Sequence, residues 1–168
     1  MKYLSTMLIV FFCCSVLFST NLKKLSLDDA SAIGLKIETD ATVKSEGRGS
    51  VRITTLWPTT VCLGEASGLA VENAKLIFTA RVRTRIQGDA LLEMWVHIGS
   101  GQYFSRGLND RVLGQSDWKA IQTPFILQKG QKADKVTFNL VINGTGVVWI
   151  DDISLSKEPL PTQATKGS

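Results

Sequence analysis

The sequence predicts an all-β fold, a two-sheet antiparallel β-sandwich, and three observations carry that expectation. Short runs of alternating apolar residues recur from Leu35 onward, Gly, Asn and Asp punctuate them, and no segment carries the spacing of a long amphipathic helix. Many short strands joined by tight turns in one domain close as a sandwich or a barrel. Of the 168 residues, 44% are apolar and 20% charged, which excludes a disordered, collagen-like or disulfide-dense chain.

The leading segment stands apart from the rest. Leu4 to Phe18 is apolar except for Ser5, Thr6 and Ser15, with Lys2 before it and Ser19-Thr20-Asn21 after it. A basic start, an apolar stretch and a polar exit form the layout of a secretory signal over residues 1–20. A spanning helix needs about 20 apolar residues, so membrane attachment enters only as the lesser reading, through an uncleaved signal. The expected location is secreted, periplasmic or in the cell envelope. Removing the signal leaves about 150 residues, enough for one domain that buries about 70% of its unfolded-chain surface. Two of the three cysteines, Cys13 and Cys14, lie in the signal, so Cys62 has no intrachain partner. The single His excludes a His/Cys metal cluster, and a net charge of +4 is too modest to argue for nucleic acid.

Residues 21–34 read as a polar lead-in, 35–157 as the β-sandwich and 158–168, with Pro159 and Pro161, as a disordered tail. Expected strands run in order over Leu35–Thr39, Ser50–Thr55, Thr60–Leu63, Leu76–Arg85, Leu91–Ile98, Tyr103–Arg106, Lys119–Leu127, Val136–Asn143 and Val147–Leu155. Parity sorts their faces. Leu76, Phe78, Ala80 and Val82 alternate with Ile77, Thr79, Arg81 and Arg83; Leu92, Met94, Val96 and Ile98 alternate with Leu91, Glu93, Trp95 and His97. Val136, Phe138, Leu140 and Ile142 alternate with Thr137, Asn139, Val141 and Asn143. Each strand thus offers one aliphatic face to a core and one mixed face to solvent or a ligand. Asn143-Gly144 predicts a type I′ hairpin, because both central residues of that turn need positive φ. Asn143-Gly144-Thr145 is also a glycosylation sequon, which a tight turn argues against using.

Gln87-Gly88-Asp89 predicts a three-residue hairpin loop that sets Arg83 opposite Glu93, Arg81 opposite Trp95 and Thr79 opposite His97. Arg81, Arg83, Glu93, Trp95 and His97 then share one outward face. An indole plate flanked by planar polar groups suits a sugar, which stacks its C–H face and hydrogen-bonds its hydroxyls. The structural alternative is a cross-strand Arg–Glu pair with an Arg stacked on Trp. Catalysis is not expected. There is no Gly-x-Ser-x-Gly pattern, and Asp151-Asp152 cannot be the converging carboxyl pair of a glycosidase, about 5–9 Å apart, because strand neighbours face opposite ways.

Three motifs in order, Gly47-Arg48-Gly49-Ser50-Val51-Arg52-Ile53, Ser116-Asp117-Trp118-Lys119 and Gly146-Val147-Val148-Trp149-Ile150-Asp151-Asp152-Ile153-Ser154-Leu155, span most of the domain. Together they resemble the galactose-binding-like jelly roll, and within it the cellulose- and xylan-binding carbohydrate-binding modules. The resemblance implies a jelly-roll sandwich, structural roles for Trp118 and Trp149, and a structural calcium at Asp151 or Asp152 with Glu38 or Asp40. The opening Asn-x-x-Phe-Glu pattern frequent in those modules is absent from Gly34 to Thr39, as is a row of exposed Tyr or Trp. The expected function is an exported, non-catalytic binding domain for carbohydrate. The alternative is a protein-interaction or structural domain of the cell envelope with the same fold.

Overall fold

The computed structural model describes residues 34–160. The expected signal over 1–20, the lead-in up to residue 33 and residues 161–168 of the expected tail lie outside the described residues.

Among the described residues every regular element is a strand: β1 (Leu35–Asp40), β2 (Ser50–Thr55), β3 (Thr59–Val71), β4 (Ala74–Ile98), β5 (Gly101–Arg106), β6 (Val112–Leu127) and β7 (Ala133–Pro159). The antiparallel pairing of β4 with β7 dominates. It runs from Ala74↔Pro159 to His97↔Lys135, with Gly88 opposite Gly144 near its middle. The half of this ribbon made by the start of β4 and the end of β7 is flanked by β6 on β4 and by β2 and then β1 on β7. The other half is flanked by β5 on β4 and by β3 on β7. Two sheets, β1-β2-β7-β4-β6 and β3-β7-β4-β5, therefore share their two central strands.

That continuity corrects both hairpin expectations. Neither Gln87-Gly88-Asp89 nor Asn143-Gly144 turns the chain; each sits inside a long strand, facing the other. A Cβ on Gly88 would run into the Asn143 carbonyl, and one on Gly144 into that of Gln87. Gly88, at φ +130°, also takes a conformation that side chains rarely adopt. The same glycines that read as turn formers let two paired strands bend together at close approach. β3 runs on past Leu63, where the expected strand ends, through Gly64–Gly68 to Val71, with the register shifting between Cys62 and Gly64 and again between Ser67 and Val71. β7 continues to Pro159, beyond the expected start of the tail, because Glu158 and Pro159 pair with Lys75 and Ala74.

The bend turns the aliphatic faces of the two halves toward each other. Leu76, Phe78, Ala80 and Val82 from one half of β4 are buried, as are Leu92, Met94 and Val96 from the other and Val136, Phe138, Leu140 and Ile142 from β7. The aliphatic side of the parity expectation holds, with Ile98 only partly covered at the strand end, but the mixed side is less open than expected, since Ile77, Leu91, Glu93, Asn139 and Val141 are buried too. Phe78 and Phe138, one from each sheet, meet with ring centroids 4.9 Å apart. Each such side chain, fully buried, contributes about 1.5–3 kcal/mol, so the core between the sheets is what holds the bent ribbon closed.

Trp149 anchors the outer face of the first sheet. It is only 6% exposed, and its Nε1 donates to Asp40 Oδ2 at 2.9 Å. The guanidinium groups of Arg52, Arg83 and Arg85 lie 5.8, 5.8 and 5.9 Å from its ring centroid. Asp40 also accepts from Val43 N, Thr42 Oγ1 and Thr42 N, which fixes the turn after β1 and holds its carboxyl well below the usual carboxylate range. Trp118 is half-buried at the irregular step where β6 shifts register against β4. Trp149→Ala should lower unfolding stability by about 3–5 kcal/mol in a urea titration. A variant that melts with the wild type would show that this indole holds nothing in place.

Candidate functional site

Beyond the bend, the odd-numbered side chains of β4 leave the core and cross the outer face of the second sheet. Glu93, Trp95 and His97 stand there in line, two residues apart. The ladder registers build rows across them. Cys62, Asn139, Glu93 and Arg106 form one row; Glu65, Thr137, Trp95 and Phe104 the next; Ser67, Lys135, His97 and Gln102 the third.

An aromatic pair occupies the middle row. Half-buried Trp95 and 56%-exposed Phe104 have ring centroids 5.1 Å apart, inclined at 38°. Their faces form a tilted apolar plate on an otherwise polar surface.

Glu93 fixes one end of the plate. Its side chain is only 4% exposed, and it accepts from Trp95 Nε1 at 2.7 Å, Asn139 Nδ2 at 3.2 Å and Arg106 Nε. Burial alone would raise its pKa, but the donors Arg106, Trp95 and Asn139 and the Arg106 charge outweigh burial and hold the carboxyl below its ordinary value. The carboxylate therefore locks the indole in place and positions the Arg106 guanidinium, which lies 5.9 Å from the Phe104 centroid. At the other end, Glu65 accepts from Lys135 Nζ and Thr137 Oγ1, both at 3.0 Å, and these donors hold its carboxyl below the ordinary value. Gln102 Nε2 and His97 Nε2 lie 3.3 Å apart beside them.

Of the five residues expected at the site, the structure brings together Glu93, Trp95 and His97. Arg81 and Arg83 are elsewhere, and the expected cross-strand pairs with Trp95 and Glu93 do not form. The reason is the absent hairpin: with β4 continuous and bent inward at Gly88, its two halves point their odd side chains from opposite faces of the sandwich. Arg83 packs on Trp149 and lies 3.6 Å from Asp117, and Arg81 lies 3.8 Å from Asp152. The arginine beside Glu93 is Arg106. Gln102, Phe104, Arg106 and Asn139 are site residues that sequence reasoning missed. The alternation of Gln102, Phe104 and Arg106 in a short strand was the available signal.

Asp151 and Asp152, expected as calcium ligands with Glu38 or Asp40, sit at a bulge where the β4–β7 register shifts and Asp152 takes φ 49°. Asp151 accepts from Ser45 N at 2.8 Å, Glu46 N at 3.1 Å and Asp152 N at 2.8 Å, which fastens the β1–β2 loop to β7. Glu38 pairs with Arg52 at 2.6 Å and Lys36 at 2.7 Å. Among the described residues, no three His, Cys, Asp or Glu side chains converge as a metal site.

No family model matches the sequence, and no curated protein matches it. Solved structures share its fold. The CBM22-1 xylan-binding domain from Paenibacillus barcinonensis Xyn10C aligns with a TM-score of 0.54 at 12% sequence identity, covering 75% of this chain and 83% of that one. A family 16 carbohydrate-binding module aligns at 0.52 and 11% identity, over 73% of this chain and 86% of its own. The CBM22-1–GH10 modules of the Clostridium thermocellum endo-1,4-β-D-xylanase 10B, complexed with xylohexaose, align at 0.57 and 9% identity, over 75% of this chain and 25% of that one. The chain thus has the jelly-roll β-sandwich of carbohydrate-binding modules, the fold its motifs implied.

Glu93→Gln should cost about 1–3 kcal/mol at neutral pH, since it weakens charged hydrogen bonds in a pair that solvent partly screens through half-exposed Arg106. The folded-state pKa of Glu93 lies below its unfolded value, so its contribution is complete above the unfolded carboxylate range and is lost as pH falls. Wild-type and Glu93→Gln melting temperatures should therefore draw together as pH falls through the ordinary carboxylate range and below it. A gap that stayed constant from neutral pH to acid would contradict an ionised Glu93.

Proposed function

We propose that this protein is an exported, non-catalytic carbohydrate-binding domain and that its ligand lies across the Trp95–Phe104 plate. The observation that carries this reading is the aromatic pair, half-buried Trp95 and exposed Phe104, bracketed by planar polar groups: Arg106 at one end, His97 and Gln102 at the other. A pyranose presents an apolar C–H face to stack on such a plate and equatorial hydroxyls at its rim, within reach of donors and acceptors in fixed positions. Preorganisation matters because ordering a flexible side chain on binding costs about 0.5–1.5 kcal/mol. Here Glu93 has already ordered Trp95 and Arg106.

Charge supports an uncharged ligand. Glu93 is matched by Arg106 and Glu65 by Lys135, so the surface carries no large excess of either sign. The non-catalytic reading rests on the state of Glu93. A glycosidase acid must hold a proton near neutral pH, whereas three donors favour the ionised form of this carboxyl. One structure of this fold is named a xylan-binding domain and another is a module–xylanase pair complexed with xylohexaose, which supports xylo-oligosaccharides as the first probes, with the cello-oligosaccharides that the motif resemblance implies beside them. Export through the leading segment would place the domain where such polymers occur.

Calorimetry with xylohexaose and cellohexaose tests the site. Phe104→Ala should weaken binding at least about tenfold, near 1.4 kcal/mol, yet melt close to the wild type because the ring is largely exposed. Trp95→Ala should also abolish binding, but with a loss of stability, since half-buried Trp95 is a partner of Glu93. Unchanged affinity in Phe104→Ala would remove the plate from the binding surface. Failure of the wild type to bind any member of a glycan array would remove the function.

A further inference from the structure

The loop that leaves β5 borders an open concavity that shares Arg106 with the edge of the plate. A cleft of about 450 Å³ lies along the seam between the two sheets, against Arg106, Leu108, Asn109, Asp110, Gln122 and Pro124. Arg106 belongs to both places. Its Nε is spent on Glu93 and its guanidinium lies near Phe104, while the same side chain lines the cleft.

The cleft is built rather than incidental. Gly107 N donates to Leu92 O at 2.9 Å, Asp110 N to Gly107 O at 3.0 Å, and Gln122 N to Asp110 Oδ2 at 2.7 Å, so the loop is tied to β4 and β6. Thr123 and Ser105 hydroxyls lie 2.7 Å apart and stitch β5 to β6 behind it. Among the described residues, the side-chain amides of Asn109 and Gln122 and both Nη groups of Arg106 have no hydrogen-bond partner. Leu108 is 57% exposed at the rim. Unspent amides and guanidinium nitrogens beside an exposed aliphatic group offer both contacts that a sugar ring takes.

We propose that this seam cleft is a second subsite, holding a further neutral sugar unit of the same chain whose neighbouring unit lies on the Trp95–Phe104 plate. The inference rests on the plate being the primary site. Arg106 then sits at the joint between the two units, with its Nη groups aimed at the hydroxyls or ring oxygens on either side. The ligand is an oligosaccharide read over several residues, not a single terminal sugar.

Displacement calorimetry tests this by measuring xylobiose, xylotetraose and xylohexaose as competitors, with the cello-oligosaccharides in parallel. Wild-type affinity should rise at least about tenfold from the shortest to the longest chain of the preferred series. In Asn109→Ala and in Leu108→Ser the shortest chain should bind as in the wild type, while the gain with length falls to about threefold or less. Both substitutions are at exposed loop positions, and matching melting curves verify that each variant is folded. Length-independent affinity in the wild type would overturn the subsite and leave the plate standing. So would variants that weaken all lengths by the same factor or retain the full gain. Absence of binding at every length would overturn the plate and the subsite together.

Discussion

The close approach of Gly88 and Gly144 is the constraint on which the rest of this structure depends. β4 and β7 stay paired along their whole length, so the only way to bury their aliphatic faces is to bend the ribbon on itself. A side chain at either glycine would strike the facing backbone. Once the ribbon bends, even-numbered residues of β4 from both halves enter one core and odd-numbered residues emerge on opposite sides. The separation of Arg81 and Arg83 from Glu93, Trp95 and His97 follows directly. One continuous strand thereby supplies two unlike surfaces.

Those surfaces use the same residue types for different ends. On the first sheet an indole is enclosed by three guanidinium groups and its N–H is held by Asp40, which leaves little of the ring for a ligand. On the second sheet Glu93 takes the indole N–H of Trp95, but the ring lies against exposed Phe104 and stays half open. A buried carboxylate with one partner lost would be costly, and Glu93 avoids that cost by accepting from three donors at once. Its role is to fix the orientation of the groups that would meet the ligand, while Phe104, Gln102 and the free nitrogens of Arg106 remain open to it.

Parity and motifs made much of the fold legible. The alternation in Leu76–Val82, Leu92–Val96 and Val136–Ile142 identified the core face correctly, and the Trp149 motif pointed to a structural indole. Connectivity was not legible, because glycine between two alternating runs is equally suited to a tight turn and to a close strand crossing. Only the long-range pairing of β4 with β7 decides between them, and that is a tertiary fact. The site was half legible for the same reason. Glu93, Trp95 and His97 lie on one strand, so parity alone groups them. Arg106, Phe104 and Asn139 reach them through registers with β5 and β7 that no local pattern encodes.

The most direct measurement is a backbone and indole ¹⁵N chemical-shift map of the protein with and without saturating xylohexaose or the best oligosaccharide found. Binding across the second sheet predicts shifts at the Trp95 indole and at the amides of Glu93, His97, Phe104 and Arg106, with the Trp149 indole and the amides of Arg81 and Arg83 unmoved. Shifts centred on Trp149 and its arginines, with the Trp95 indole unmoved, would contradict it.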